Sequence, residues 1–143
     1  MTVKIKIEDN EIKLFLEKLN NLKNKPSNLL KDIGQLLVAT TKERFTTQTN
    51  PKGGKWQSLS PRYLAKKRKQ GFGDRILSRS GALRNSIRYQ IEGTNLVIGS
   101  DQVYAATHQF GSRIKNIPAR PYLGLSKFDE EAISTIFLEA LSD

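Results

Sequence analysis

The stretch SNLLKDIGQLLVATTKERF, residues 27–45, decides how this chain folds. Its large aliphatic residues are separated by one, three or four positions, at Leu29, Leu30, Ile33, Leu36 and Leu37. This spacing places an apolar stripe along one side of a helix. Ser27 is a residue type that caps helix N-termini, and the pattern predicts a helix continuing to Phe45. We expect this helix to supply much of the hydrophobic core.

Strand patterns lie on both sides of this helix. Residues 3–7 alternate apolar and charged side chains, as half-buried strands do. Residues 87–91 alternate in the same way, residues 93–95 have the composition of a turn, and residues 96–98 return as the second strand of a hairpin. Strands and helices do not alternate regularly, so the sequence predicts a small antiparallel or mixed sheet.

Two further helices are predicted, one near each end of the chain. Residues 12–22 carry apolar side chains at helical spacing. Near the C-terminus, Ser126 and Asp129 have the spacing of a capping box, and an apolar stripe follows from Ile133 to Leu141. The predicted fold class is therefore α+β, with N-terminal helices packed on a small antiparallel or mixed β-sheet and a C-terminal helix.

The middle of the chain predicts shorter elements. Ser60 and Pro61 are typical of a helix start, and the predicted helix covers residues 62–69. Ser80 is a candidate cap for a short helix toward Ile87, and residues 103–110 predict another that ends at glycine. Residues 111–125 contain two prolines and are expected to be extended.

Residues 46–58 predict a flexible loop. The segment is rich in turn-forming residues, and Thr46 to Lys55 contains no large apolar side chain that could offset the entropy lost on ordering. Trp56 then interrupts the polarity, and anchoring of the loop is favoured over direct contact with a partner. The chain of 143 residues fits a single domain, residues 1–143, that includes this loop.

Charge is distributed unevenly along the chain. The net charge is +10, to which residues 1–41 contribute +2, residues 42–88 contribute +11 and residues 89–143 contribute −3. Such asymmetry suggests a polyanion or an acidic protein surface as partner, or head-to-tail contact between copies.

Few residues are available for enzymatic chemistry. The chain has no cysteine and one histidine, His108, so a metal site would need several carboxylates and a serine triad would need this histidine as its base. Gly53, Gly54 and Lys55 lack the spacing of a phosphate-binding loop. We therefore expect no enzyme activity, cofactor or metal. No segment has the apolar length of a membrane span or signal peptide, so we expect a soluble protein without a membrane partner.

The basic middle third leaves a second function open. Lysine and arginine side chains between Lys55 and Lys69 could follow a phosphate backbone, and Trp56 and Tyr63 could stack on bases. A run of lysines on a helix is, however, usually a solvated face. The alternative to an assembly role is thus a basic nucleic-acid-binding module.

Several phrases occur in an order and spacing that resemble the phage virion morphogenesis family, the Mu-like protein G and tail-completion group. They cover about residues 36–141. In chain order they are Phe45 at a helix end, Pro51-x-Gly53-x-x-Trp56-x-x-Leu59-Ser60 followed by Tyr63 and lysines, Ile76-Leu77 before Ser80-Gly81-x-Leu83-x-x-Ser86-Ile87, Ile98-Gly99 before Tyr104-Ala105, His108-Gln109-Phe110-Gly111, and Ile117-Pro118-Ala119-Arg120-Pro121-Tyr122-Leu123-Gly124. The predicted first strand and first helix fall outside these phrases.

This resemblance implies a non-enzymatic structural protein of a tailed phage or prophage. Its expected role is to complete the tail, or to join tail to head at the neck, as a homo-oligomeric ring for which a hexamer would suit a six-fold tail. The expected partners are other copies and neighbouring neck and tail proteins, and contact with packaged DNA stays open. The expected location is the virion tail or neck, after assembly in the bacterial host cytoplasm.

Residues from the basic helix, the aromatic positions and the resembling phrases form the candidate interface. For the segment Pro118 to Pro121, an interface role and a rigid core-crossing role remain equally open. The complete candidate set is Trp56, Arg62, Tyr63, Lys66, Lys67, Lys69, His108, Phe110, Arg113, Arg120 and Tyr122.

Overall fold

The longest element of the computed structural model is the predicted central helix. The structure describes residues 3–7, 26–71, 76, 81–93 and 95–142, and the helix predicted at residues 12–22 lies outside these ranges. Helix α1 spans Pro26–Thr47. Its buried residues repeat along one face, because the leucine spacing of the sequence follows the helical period. They are Leu29, Leu30, Ile33, Leu37, Thr41, Arg44 and Phe45.

The sheet has three antiparallel strands in the order β1-β3-β2. Strand β1 is Val3–Ile7, β2 is Arg88–Glu92 and β3 is Asn95–Ser100. The predicted hairpin is confirmed, and the N-terminal strand pairs with β3 in the register Ile5 opposite Ile98. Residues 96–100 are all buried, whereas most of β2 is exposed. The central strand β3, buried at residues 96–100, carries a continuous apolar run, whereas the two strands at the sheet edges, β1 and β2, alternate in sequence.

One glycine allows α1 to approach the sheet closely. A Cβ atom added to Gly34 would lie 2.7 Å from the ring of Tyr89 on β2. Real side chains do not tolerate contacts that short, so a larger residue would push the helix away from the strand. The core therefore forms where α1 covers the hairpin.

Helix α5, Lys127–Ser142, packs against α1. The predicted capping box is present: the Ser126 amide donates to Asp129 Oδ2 at 3.0 Å, and the Asp129 amide donates to Ser126 Oγ at 2.9 Å. Ile133 and Phe137 are buried on the face toward the core. The terminal helix and the α+β class are thus confirmed.

Three short helices complete the described chain: α2 at Pro61–Lys69, α3 at Ala82–Ser86 and α4 at Ala105–Phe110. Ser60 caps α2, accepting a hydrogen bond from the Tyr63 amide at 3.2 Å. The prediction for α3 was wrong in its cap. The N-cap is Gly81, in the left-handed region at φ 74°, and no side chain caps this helix. A residue with positive φ preceding the helix favours glycine over serine.

The predicted loop has a defined path. Thr49 and Lys55 form an isolated antiparallel bridge, and Asn50 Oδ1 accepts hydrogen bonds from the amides of Lys52 and Gly54 at 2.9 and 3.0 Å. The first two residues of the predicted loop, at 46 and 47, belong to α1. Hydrogen bonds, not burial of apolar side chains, thus stabilise the exposed part of the loop, and its mobility stays a prediction.

No helix among the described residues is long and apolar enough to cross a membrane.

Candidate interaction surface

Tyr122 is the centre of the packing that supports the candidate surface. It is fully buried, its hydroxyl donates to the Ala105 carbonyl at 2.8 Å, and its ring lies 5.4 Å from the ring of Phe45. Burial, with a smaller contribution from Tyr104, raises the pKa of the Tyr122 phenol above its ordinary value. Tyr122 thus fastens the extended segment 117–125 to α1 and α4, and it is not accessible to a partner in this structure.

Gln109 fixes the backbone of the same segment. Its Oε1 accepts hydrogen bonds from the amides of Tyr122 and Leu123, both at 3.0 Å, and its Nε2 donates to the Leu123 carbonyl at 3.2 Å. This one side chain satisfies polar groups that burial would otherwise leave unpaired. Gln109 was absent from the candidate set, although its place in the phrase His108-Gln109-Phe110-Gly111 was a signal.

A buried ion pair joins the end of α1 to the start of α5. Arg44 Nη2 donates to Asp129 Oδ2 at 2.6 Å, while its Nη1 donates to the carbonyls of Tyr122 and Gly124 at 2.8 and 3.2 Å. Burial lowers the pKa of Arg44, and the Asp129 carboxylate opposes that effect. The pair was not predicted, since Arg44 and Asp129 are distant in sequence and Asp129 was recognised only as a cap.

Trp56 and Arg120 join the loop to the extended segment. Trp56 is buried, packs edge-on against Phe45 at 5.4 Å, and donates from Nε1 to the Pro121 carbonyl at 2.7 Å. Arg120, also buried, donates to the carbonyls of Gln57 and Ser58 at 2.8 and 3.3 Å. The structure therefore gives both residues an anchoring position inside the monomer.

A tight turn projects from this anchored segment. Ser112 and Ile117 exchange two backbone hydrogen bonds of 2.8 Å, which leaves residues 113–116 as the exposed tip. Gly111 precedes it with φ 78°, and a Cβ there would lie 2.8 Å from the Ala119 nitrogen. Only glycine fits both the conformation and the space, so Gly111 determines where the turn emerges.

A broad open groove of about 1210 Å³ lies between this segment and α2. Tyr63 lines it from α2, and Tyr104, Phe110 and Arg113 line it from α4 and the turn. Tyr63 is 46% exposed and Phe110 is 71% exposed. Large aromatic side chains that remain in water beside a concave surface are typical of interaction sites. The groove therefore unites several candidate residues that are distant in sequence.

His108 lies half-buried in the wall of the groove, with its ring 5.7 Å from that of Tyr104. Burial and the nearby positive charge of Arg120 lower the pKa of His108. A neutral imidazole is therefore expected near pH 7. No group of three or more potential metal-ligating side chains occurs in the described ranges, so His108 has no described partners for a metal site.

The basic helix divides into exposed and buried lysines. Arg62, Lys66 and Lys69 are exposed at helical spacing on α2, so they form one cationic face. Lys67 is buried and lines the groove. The candidates with much of their surface accessible are thus Arg62, Tyr63, Lys66, Lys69, Phe110 and Arg113, and those buried within the monomer are Trp56, Lys67, Arg120 and Tyr122.

Comparison with known proteins identifies the family of the chain. Residues 7–142 match the phage virion morphogenesis family. The chain is 30% identical over 141 residues to a protein of Escherichia phage Mu named "Putative capsid assembly protein G", with 93% of this chain and 90% of that protein covered. It is also 33% identical over 99 residues to an uncharacterized protein of Methanocaldococcus jannaschii, with 66% of this chain and 73% of that protein covered. No solved structure matches significantly. The similarity spans nearly all of the chain, and the protein belongs to the phage virion morphogenesis family.

Proposed function

We propose that this protein is a structural assembly protein of a tailed phage or prophage. It acts at the tail or neck of the virion, where it completes the tail or joins it to the head, and it works as a ring of identical subunits assembled in the host cytoplasm. The observation that carries the proposal is the family match over residues 7–142. The name of the Mu relative, which refers to capsid assembly, supports a role in building the particle.

The surface of the chain supports an assembly role. Its exposed apolar side chains include Phe110 at 71%, Ile114 at 99%, Phe128 at 63% and Leu138 at 65%. When a partner covers apolar side chains of this size, the complex is stabilised by about 25 cal/mol for each Å² of apolar surface buried. The described residues thus offer surface for contacts with other proteins.

The charge distribution supports a head-to-tail arrangement of copies. Residues 42–88 carry a net charge of +11 and residues 89–143 carry −3. A contact between two different faces of one subunit repeats around an axis and closes a ring when the rotation permits. Opposite charges favour such a contact over one between like faces.

The role is tested by deleting the coding sequence from the phage that carries it and imaging the particles by electron microscopy. We expect filled heads and tails that do not join, or tails without a completed end, and rescue by the wild-type protein supplied from a plasmid. Labelled protein should be found at the tail or neck of rescued particles. Normal joined particles in the deletion would overturn the proposed role.

The cationic face of α2 supports the alternative, a nucleic-acid-binding module. Arg62, Lys66 and Lys69 are exposed together, and phosphate contacts need such a face.

Charge reversal separates the two functions. We expect Arg62→Glu combined with Lys66→Glu to abolish particle joining while shifting the melting temperature by no more than a few degrees, because exposed substitutions change stability by about 0.5 kcal/mol or less. The control reverses Lys31 and Arg84, which are exposed on α1 and α3. Tight DNA binding by the wild type, with a steep salt dependence that only the α2 variant loses, would favour the nucleic-acid module instead.

A further inference from the structure

Ile114 is the most exposed large apolar residue described. Its exposed fraction is 99%, and it lies at the tip of the turn that projects from segment 111–120. Arg113 and Lys115 flank it and are exposed. A single aliphatic side chain between two cations has the composition of a contact that combines apolar burial with charge pairing.

The turn is ordered by local contacts. Besides the two backbone hydrogen bonds between Ser112 and Ile117, the Lys115 amide donates to Ser112 Oγ at 3.2 Å. Asn116 has a φ of 53°, a conformation that asparagine tolerates better than most residues. Because the tip already has a defined shape, binding through it would lose little conformational entropy.

A hollow of about 430 Å³ between α1 and α5 has complementary properties. Its lining is mainly apolar and comes from Leu36, Phe128, Glu131, Ala132, Thr135 and Ile136. Phe128 is 63% exposed at this site, and the carboxylates of Glu130 and Glu131 lie on the exposed side of α5. Cavities of about 150 Å³ accept a benzene ring, so this hollow has room for an isoleucine side chain.

We propose that Ile114 of one copy docks in the α1–α5 hollow of a second copy, with Arg113 and Lys115 facing the carboxylates of Glu130 and Glu131. The tip and the hollow share no residue, so the contact joins two different patches of the subunit surface. Contacts of that kind build rings or filaments. The inference rests on the proposed ring of identical subunits and identifies the contact that forms it.

Cross-linking provides a direct test, since the chain contains no native cysteine. An Ile114→Cys variant is mixed with an Ala132→Cys variant under mild oxidation. Disulfides need Cα atoms within about 7 Å, so a mixed dimer is expected only if the tip enters the hollow. Val103→Cys mixed with Ala132→Cys is the matched control, because Val103 is 83% exposed and lies outside both sites. Absence of the mixed dimer, or equal yield in the control, would overturn the contact.

Sedimentation velocity tests the same contact through substitutions of the apolar tip and of the paired charges. We expect Ile114→Ser to raise the dissociation constant of the oligomer at least about tenfold, as follows from exposing one isoleucine side chain. Val103→Ser should leave it unchanged. Arg113→Glu and Glu131→Arg should each weaken association, and the two together should restore it. Failure of this restoration would overturn the charge pairing and with it the proposed orientation.

Failure of the Ile114 contact can be told apart from failure of the proposed assembly role. The contact is overturned if a ring forms but the disulfide between positions 114 and 132 does not, or if the protein remains monomeric. In either case particle joining can still depend on the protein. The assembly role is tested separately in the phage that lacks the whole protein, and that test does not depend on any particular contact of residue 114.

Discussion

Arg44 shows how one side chain can connect three parts of a fold. It contacts Asp129 at the start of α5 and the carbonyls of Tyr122 and Gly124, and its side chain is only 7% exposed. If this arginine is replaced, the Asp129 carboxylate and the two carbonyl groups are left without their partner, away from water. Its contribution to stability should therefore differ sharply from that of a surface arginine.

We expect Arg44→Met to lower the free energy of unfolding by about 3–5 kcal/mol, because it leaves the buried Asp129 carboxylate without its counter-charge. The matched control is Arg88→Met. Arg88 pairs with Asp101 at the same 2.6 Å distance, but the two side chains are 56% and 47% exposed, so solvent screening limits the loss to about 1 kcal/mol or less. Urea unfolding measures the free energy of unfolding of both variants, provided that their m-values are equal. Equal decreases in the two variants would contradict the structural role assigned to Arg44.

His108 should make stability depend on pH. Its pKa is lowered in the folded chain by burial and by Arg120, and its buried Nδ1 has no hydrogen-bond partner among the described residues. The unfolded chain therefore binds a proton more readily, so the contribution is present above about pH 6.5 and is lost as pH falls through the folded pKa. As pH is lowered from about 7.5 to 5.5, we expect the melting temperature of the His108→Gln variant to fall less than that of the wild type. Parallel pH profiles would contradict this.

At the scale of elements, the loop after α1 combines order with exposure. Trp56 is buried and its amide donates to the Gln48 carbonyl at 2.8 Å, while residues 52–55 are exposed. Pro51 contacts Gly124 closely enough that a Cβ on this glycine would lie 2.9 Å from the proline ring. The ends of the loop are thus fixed, and only its tip depends on the weaker hydrogen bonds made by Asn50.

We predict that residues 52–55, the exposed tip of the loop, exchange amide hydrogen rapidly in the free subunit and become protected in the assembled particle. The physical reason is that no large apolar side chain is buried within this stretch. Hydrogen exchange measured by mass spectrometry provides the test, with buried α5 residues such as Ile133 as the protected reference in both states. Asn50→Ala should further accelerate exchange at Lys52 and Gly54. Full protection of the loop in a verified monomer would remove it from the assembly mechanism.

At the scale of the whole molecule, the separation of charge has consequences for association. The strongly basic middle third and the mildly acidic last third belong to one chain with a net charge of +10. Two copies therefore repel one another on average but can attract when unlike faces meet. Assembly should consequently depend on orientation and on ionic strength.

We expect the oligomer to dissociate as salt rises from about 50 mM to 500 mM, because screening shortens the range of attraction between exposed charges. Mass photometry at several salt concentrations measures the population of each species. Thermal stability of the subunit should change little over the same range, which serves as the control. An oligomer whose population is independent of salt would indicate that apolar contacts alone hold the copies together.

The sequence by itself determined the elements whose signals are local. The leucine spacing of α1, the alternation leading into β2 and the reciprocal Ser126–Asp129 cap each depend on residues a few positions apart, so the α+β class could be predicted before any packing was known. The order and spacing of short phrases also carried the family resemblance, which the match over residues 7–142 confirms.

Only the tertiary structure decided which of these residues face a partner. Lys67 and Lys66 are neighbours of the same type, yet one is buried and the other exposed. Arg44 meets Asp129 across 85 positions, and the groove combines segments from residues 57 to 120. Local patterns cannot reveal such contacts, because burial and pairing depend on which surfaces meet when distant elements pack together.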